Sequence, residues 1–238
     1  MLTPRDRLIV ALDVPNASRA LKLVGQLHDD AGVFKIGKQL FVAEGPELVR
    51  EVVSRGNRVF LDLKFHDIPN TVASAVKSAT ALGVSMLTVH ASGGPKMLKA
   101  AVDAASQSPN PPIVLAVTVL TSIGDDEIQQ IGVAGRVLDQ VLRLATLARE
   151  AGCTGIVAAP HEAAEIRKRL GEGFAIITPG VRPAGSSAGD QARVLTPAQA
   201  IAAGATYLVV GRPITEAAKP AQAARAIVDE IAGSTVTV

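Results

Sequence analysis

The sequence is poor in aromatic residues and in cysteine. Phe, Trp and Tyr together make up 3% of the 238 residues, with no Trp and one Tyr. Side chains on which single-stranded bases could stack are therefore scarce. Cys153 is the single cysteine, which excludes an intramolecular disulfide and favours a reducing compartment. We expect Cys153 to be a small buried side chain rather than a catalytic thiol.

The sequence also lacks an excess of charge of one sign and a long hydrophobic run. Its 24 basic and 22 acidic residues give a formal net charge of +2, so a nucleic-acid partner is not expected. No apolar run approaches the roughly 20 residues that span a bilayer. The short apolar run from Leu8 meets Asp13, unlike a secretory signal. These absences predict a cytoplasmic protein without a membrane segment.

The sequence is rich in short β-branched runs that alternate with helix-type segments. Hydrophobic residues make up 48% of the chain, which is enough for a large core. Eight such runs read as strands, and most of them are apolar on both faces, as parallel strands covered by helices are. These predicted strands are Leu8–Val14, Val33–Gly37, Arg58–Lys64, Met86–His90, Ile113–Leu120, Gly155–Ala159, Ala175–Pro179 and Tyr207–Gly211.

The spacing of these runs predicts an α/β fold, a single-domain (β/α)₈ TIM barrel that spans residues 1–238. Successive strands begin about 28 residues apart, which is the size of one βα repeat. Eight such repeats fit the usual length of a barrel. An open doubly wound sheet is the alternative, but no G-x-G-x-x-G follows the first strand. Two long segments, Thr121–Gly135 and Arg182–Thr196, follow strands five and seven and are candidate lids.

The most informative run, Asp62-Leu63-Lys64-Phe65-His66-Asp67-Ile68-Pro69-Asn70-Thr71, closes the third predicted strand. Strand alternation places Asp62, Lys64 and His66 on one face. An acid and an ammonium group buried side by side are costly unless they pair, and a fold rarely needs them for stability. The run therefore indicates a functional strand end that holds a reactive lysine.

Further polar residues lie at or near other strand ends: Asp13, Lys35, Thr121 and Ser122. Each of the charged residues also has a structural interpretation. Asp13 could cap the helix after Pro15, Lys35 could extend to the barrel rim, and Asp67 could cap the helix that contains Pro69. Asp62, His66 and Asp67 are candidate metal ligands, but Lys35 and Lys64 would repel a divalent cation. We expect no metal site.

Two segments, which we call the Gly/Arg segments, follow strands seven and eight. They are Pro179-Gly180-Val181-Arg182-Pro183 and Gly211-Arg212-Pro213-Ile214-Thr215. Loops at these positions of a barrel often bind phosphate. Glycine lets the backbone approach an anion, and arginine binds phosphate oxygens in pairs. These segments predict a phosphate site that the amide of Gln191 could also reach.

The run from Asp62 to Thr71 resembles the signature of the orotidine 5′-phosphate decarboxylase family. The resemblance continues, in order, in Ala11-Leu12-Asp13, Phe34-Lys35-Ile36-Gly37, Val119-Leu120-Thr121-Ser122, Thr178-Pro179-Gly180-Val181-Arg182-Pro183 and Gly211-Arg212-Pro213-Ile214-Thr215. It implies a (β/α)₈ barrel that works as a homodimer without a cofactor. The implied reaction is decarboxylation of orotidine 5′-phosphate to UMP and CO₂, the last step of UMP synthesis.

The resemblance also implies a role for each matched residue. Lys64 would be the proton donor within an alternating array with Lys35, Asp62 and Asp67. Asp67 and Thr71 would reach the site of the neighbouring subunit. The residues implied to contact substrate are Asp13 and Lys35 at the ribose, Thr121 and Ser122 at the pyrimidine, Arg182, Gln191, Gly211 and Arg212 at the phosphate, and Pro179 beside them.

The chemistry of these residues fits such a reaction. Loss of CO₂ from C6 leaves a carbanion that no adjacent carbonyl delocalises, so catalysis needs charges already in place and prompt protonation. Flanking carboxylates would keep Lys64 cationic. Two alternatives remain: a related Mg²⁺-dependent sugar-phosphate decarboxylase or aldolase that shares Asp-x-Lys on strand three, and a non-catalytic phosphate-binding barrel.

Overall fold

The computed structural model describes residues 2–183 and 195–234, and their centre is a closed barrel of eight parallel strands. Each strand pairs with its neighbours in sequence, and the last pairs with the first. The strands are β1 (Leu8–Ala11), β2 (Val33–Gly37), β3 (Val59–Phe65), β4 (Met86–His90), β5 (Ile113–Val117), β6 (Gly155–Val157), β7 (Ala175–Pro179) and β8 (Tyr207–Val210). The predicted TIM barrel is confirmed, and the open sheet is wrong.

Helices connect the strands and cover the outside of the barrel. They are α1 (Ala17–Leu27), α2 (Lys38–Ser54), α3 (Pro69–Thr80), α4 (Gly94–Ser106), α5 (Asp125–Gln130), α6 (Val137–Glu150), α7 (Ala163–Leu170), α8 (Pro197–Ala202), α9 (Arg212–Thr215) and α10 (Pro220–Ser234). The segment Thr121–Gly135 contains α5 and is therefore partly helical. Among the described helices, none is both long and apolar enough to cross a membrane.

The apolar strand residues form two separate layers. Inward-facing side chains such as Ile9, Phe60 and Met86 fill the barrel. Outward-facing neighbours such as Val10 and Leu87 pack with the helices. Because successive strand residues face opposite sides, a strand buried on both sides must be apolar at nearly every position, which explains the sequence pattern.

Polar residues replace apolar ones where the inward-facing positions approach the carboxyl ends of the strands. Along β2 the inward position after Val33 is Lys35, and along β3 the position after Phe60 is Asp62. Both lie on the side of the barrel where active sites of this fold are built. The barrel therefore gathers residues that are distant in sequence at one mouth.

Some strands end earlier than the apolar pattern predicts. β1 ends at Ala11 rather than Val14, and β5 ends at Val117 rather than Leu120. Val14 is nevertheless buried, so its apolar side chain reflects burial rather than membership of the strand. Leu120, beyond the end of β5, is by contrast 40% exposed and lines the cavity described below.

Cys153 is buried, as predicted. Burial raises the pKa of its thiol to about 12. The thiol is therefore protonated at neutral pH, whereas a nucleophilic cysteine needs its thiolate form.

Candidate active site

Four charged side chains form a continuous row at the carboxyl ends of β1, β2 and β3. We call Asp13, Lys35, Asp62 and Lys64 the charged row. The ammonium Nζ of Lys64 lies 2.8 Å from both carboxylate oxygens of Asp62. The Nζ of Lys35 lies 3.0 Å from Asp13 Oδ1 and 3.8 Å from Asp62 Oδ2. Acids and amines therefore alternate along the row.

The space around Lys35 depends on a glycine two residues further along β2. A Cβ atom at Gly37 would lie 3.0 Å from the Nζ of Lys35 and 3.2 Å from Asp13 Oδ1. Both distances are tighter than ordinary contacts, so a Cβ atom here would push the ends of these two side chains by a few tenths of an ångström. Gly37 thus leaves room for the charged row, although it was singled out in the sequence only as part of the run Phe34-Lys35-Ile36-Gly37.

The Asp62 carboxylate remains charged despite its burial. Burial raises the pKa of this carboxyl group, but the ammonium groups of Lys35 and Lys64 outweigh that effect. The resulting pKa lies below the ordinary value of 3.8. At neutral pH, Lys64 therefore faces a fixed negative charge.

Lys64 has an unusual backbone conformation. It is the one non-glycine residue with a positive φ, 56°, in the described part of the chain. The pairing of β3 with β4 shifts register between Leu61 and Phe65, so Lys64 lies in a bulge. Strain of this kind clusters at functional sites. The alternation of strand residues correctly predicted that Lys64 lies on the same face as Asp62. It contained no sign of the bulge.

Thr88 on β4 contacts both members of the Asp62–Lys64 pair. Its Oγ1 accepts a hydrogen bond from Lys64 N at 2.9 Å and donates one to Asp62 Oδ1 at 3.0 Å. The side chain is fully buried. Sequence reasoning did not identify Thr88, and its only signal was a hydroxyl within the apolar run Met86–His90.

The charged row forms one wall of a cavity of about 490 Å³, which is the size of a small-molecule site. Apolar barrel residues, among them Val117 and Ile177, form its floor. The predicted residues that line it, besides the charged row, are Thr121, Pro179, Arg182, Gly211 and Arg212. Gly180 also lines it and has a φ of 80°, a conformation that favours glycine. The barrel therefore brings both Gly/Arg segments to the same cavity as Lys64.

Sequence reasoning missed two further polar side chains of the cavity wall. Thr215 and Glu216 line the cavity at the end of α9 and just beyond it. Thr215 belongs to a quoted segment, whereas Glu216 lies one residue past it, and no pattern distinguished either residue.

Other predicted residues do not line this cavity. Ser122, Asp67 and Thr71 are exposed and lie outside it. Gln191 lies outside the described residues, as does most of the segment Arg182–Thr196. His66 is also exposed, and its ring centroid lies 5.2 Å from that of His90.

The helix-cap interpretations of Asp13 and Asp67 are wrong. The residue that caps α1 is Asn16, whose side chain accepts a hydrogen bond from Arg19 N. The N-cap of α3 is Ile68, and Asp67 Oδ1 accepts a hydrogen bond from Ile68 N just before the helix. Neither acid is therefore explained by helix stability.

Within residues 2–183 and 195–234, no group of three or more His, Cys, Asp or Glu side chains is arranged to hold a metal ion. The nearest pair of acids in the row, Asp13 and Asp62, is separated by the ammonium group of Lys35. That positive charge already occupies the position a cation would take, which disfavours a divalent ion there.

A (β/α)₈ barrel with a charged cavity at the carboxyl ends of its strands belongs to a fold class in which enzymes build their active sites at this mouth. Residues 6–227 match the family described as Orotidine 5′-phosphate decarboxylase / HUMPS family. The chain belongs to this family, as its resemblance predicted.

Named relatives agree with this assignment. An orotidine 5′-phosphate decarboxylase of Moorella thermoacetica is 54% identical over 233 residues, covering 95% of this chain and 92% of the relative. One from Alkalilimnicola ehrlichii is 53% identical over 232 residues, covering 98% and 99%. A crystal structure of orotidine 5′-phosphate decarboxylase from Lactobacillus acidophilus is 38% identical, with a TM-score of 0.85 and coverage of 94% and 98%. The predicted enzyme class, a decarboxylase, is confirmed.

Proposed function

We propose that this chain converts orotidine 5′-phosphate to UMP and CO₂, with Lys64 as the proton donor to C6. One observation carries the proposal: the Nζ of Lys64 lies 2.8 Å from both Asp62 oxygens, in the cavity shared with both Gly/Arg segments. The relatives at 53% and 54% identity, which carry this enzyme's name, support the substrate.

The reaction breaks one carbon–carbon bond and forms one carbon–hydrogen bond. The substrate carboxylate leaves as CO₂, and the electron pair of the broken bond stays on C6. The ammonium group of Lys64 stabilises this negative charge as it develops and then donates a proton to C6. Lys64 regains a proton from water after UMP forms.

Asp62 contributes by fixing the protonated amine before substrate arrives. Its two oxygens both accept hydrogen bonds from the Nζ of Lys64. A charge that is already oriented costs no reorganisation during the reaction. Lys35, on the other side of Asp62, keeps that carboxylate ionised.

The rest of the cavity accommodates the nucleotide. Lys35 and Asp13, which form an ion pair in the cavity wall, would bind the ribose hydroxyls. Arg182, Arg212 and the backbone at Gly211 would bind the phosphate, with Pro179 beside them and Gln191 from the segment outside the described residues. Thr121 and Ser122 would face the pyrimidine.

A homodimer would complete the site. Asp67 and Thr71 are exposed and lie outside the cavity of their own chain. Ile68, next to Asp67, is an apolar side chain that is 66% exposed. These features support an interface at the start of α3, through which Asp67 and Thr71 reach the site of the partner subunit.

Mixing two inactive variants tests the shared site. Lys64→Ala and Asp67→Ala homodimers should both be strongly impaired, because each lacks one group in both sites. After subunit exchange, a mixed dimer contains one intact site. Random exchange should restore about one quarter of wild-type activity in a two-fold symmetric dimer. Absence of recovery, with exchange verified by differently tagged subunits, would show that Asp67 acts within its own chain.

The proposed activity is tested by the loss of orotidine 5′-phosphate absorbance with purified protein, with and without EDTA. We expect equal rates in both, because Lys64 supplies the positive charge that a metal would supply in the Mg²⁺-dependent alternative. Activity that EDTA removes and Mg²⁺ restores would favour that alternative. Ligand binding without turnover would favour a non-catalytic barrel.

A further inference from the structure

Lys64 lies where the ladder between β3 and β4 is interrupted. The last regular pair before the interruption is Leu61 with Leu87, and the next pair is Phe65 with Val89. β3 therefore uses more residues than β4 to cover the same distance. The extra residues include Lys64, whose backbone N–H loses its regular partner on the neighbouring strand.

The hydroxyl of Thr88 replaces that partner. Thr88 lies between the two pairs on β4, and its Oγ1 accepts the hydrogen bond from Lys64 N at 2.9 Å. The same hydroxyl donates its proton to Asp62 Oδ1 at 3.0 Å. A threonine hydroxyl has one proton to donate and lone pairs to accept with, so both capacities are used on the Asp62–Lys64 pair.

The conformation of Lys64 needs such support. Its φ of 56° is disfavoured for a residue with a side chain. Such a conformation persists only where its surroundings determine it. A buried N–H without a partner would add a further cost. Thr88 removes that cost at the position where the strain occurs.

We propose that Thr88 is a positioning residue that sets the direction of the Lys64 amine by holding the Lys64 backbone and the Asp62 carboxylate through one hydroxyl. This inference rests on the proposed decarboxylation. Thr88 does not line the cavity and acts through its two neighbours, Asp62 and Lys64. A misplacement of about 1 Å in a reacting group costs on the order of 100-fold in rate, so small changes at Thr88 should have large effects.

The charge of Asp62 provides an independent readout. Burial raises the pKa of Asp62, and the interactions that lower it are with Lys35, Lys64 and the hydroxyl of Thr88. Removal of that hydroxyl should raise the pKa. The acidic limb of the kcat profile should then move to higher pH.

A matched control distinguishes positioning from the general packing of a buried threonine. Thr178 on β7 is also fully buried. Its hydroxyl donates to the backbone oxygen of Tyr207 at 3.4 Å. Thr178→Val therefore removes a hydroxyl of similar burial that bonds only to backbone, and it should leave kcat close to the wild-type value.

The experiment compares kcat, KM and pH profiles of wild type, Thr88→Val, Thr88→Ser and Thr178→Val. We expect Thr88→Val to lower kcat by about 10-fold to 100-fold, with KM little changed. Thr88→Ser should recover most of kcat because it keeps the hydroxyl. The proposal would be overturned if Thr88→Val kept the kcat and the pH profile of the wild type. It would also be overturned if Thr88→Ser or Thr178→Val lost as much kcat as Thr88→Val.

A second comparison applies if Thr88→Val does not fold. Thr88→Ala should then lose the kcat that Thr88→Ser keeps, and equal kcat in these two variants would overturn the proposal. The proposed function fails separately: wild-type protein would show no decarboxylation at all. If the wild-type protein is active and Thr88→Val is equally active, the result excludes the positioning role of Thr88 and leaves the proposed function intact.

Discussion

Lys64→Ala is expected to abolish decarboxylation while leaving binding of UMP largely intact. The variant loses both the charge that stabilises the C6 carbanion and the proton that quenches it. General acid catalysis and one electrostatic donor each contribute about 100-fold or more, so the combined loss in kcat should reach about 10⁴-fold. UMP should still bind, because the Gly/Arg segments follow β7 and β8, on another part of the barrel.

The variant should also remain folded. Alanine has the same Cβ as lysine, so the strain at a φ of 56° does not increase. Asp62 keeps the Nζ of Lys35 as a partner at 3.8 Å and the hydroxyl of Thr88 at 3.0 Å. Single-turnover absorbance measures the chemistry, and calorimetric titration with UMP measures binding.

Lys99→Ala is the matched control for this prediction. Lys99 pairs with Asp103 on the exposed surface of α4, and such surface pairs contribute little. The kcat of Lys99→Ala should equal that of the wild-type protein. Appreciable turnover in Lys64→Ala, at more than a trace of the wild-type rate, would exclude Lys64 as the proton donor.

Arg212→Ala is expected to lower kcat/KM by about 100-fold, the equivalent of about 2.7 kcal/mol. Hydrogen bonds from a charged group contribute about 1.5–3 kcal/mol, and an arginine bound to phosphate makes such bonds. Binding energy from this remote group is used to order the cavity around the pyrimidine. The loss should therefore appear in turnover as well as in affinity.

Two comparisons make this prediction specific to the phosphate. Orotidine, which lacks the phosphate, should be turned over with the same low efficiency by wild type and Arg212→Ala. Arg55→Ala, which removes an exposed arginine paired with Glu51 at 2.6 Å, should leave kcat/KM unchanged. Equal efficiency of wild type and Arg212→Ala with orotidine 5′-phosphate would contradict a phosphate role for Arg212.

Much of the architecture could be predicted because it depends on local patterns. Apolar runs about one βα repeat apart indicated the eight strands and their closure into a barrel. The carboxyl ends of parallel strands meet at one mouth, so the placement of Lys35, Asp62 and Lys64 together also followed. The family resemblance depended on the motifs alone.

Other features depended on contacts that no local pattern encodes. Periodicity placed Lys64 on the correct face, but the bulge arises from the register of β3 against β4. Thr88 is important only because that register brings its hydroxyl to Lys64 N and Asp62 Oδ1. The exposure of Asp67 outside its own cavity likewise follows from the path of the chain into α3.

By itself, the sequence determined the barrel, the family and the chemical identity of the charged groups, because these follow from local periodicity and short motifs. Only the tertiary structure decided the geometry of the site: the left-handed backbone of Lys64, the hydroxyl that supports it, and the space that Gly37 leaves for Lys35. The physical reason is that hydrogen bonds and steric contacts between strands depend on how separate segments align, and residues near one another in sequence do not specify that alignment.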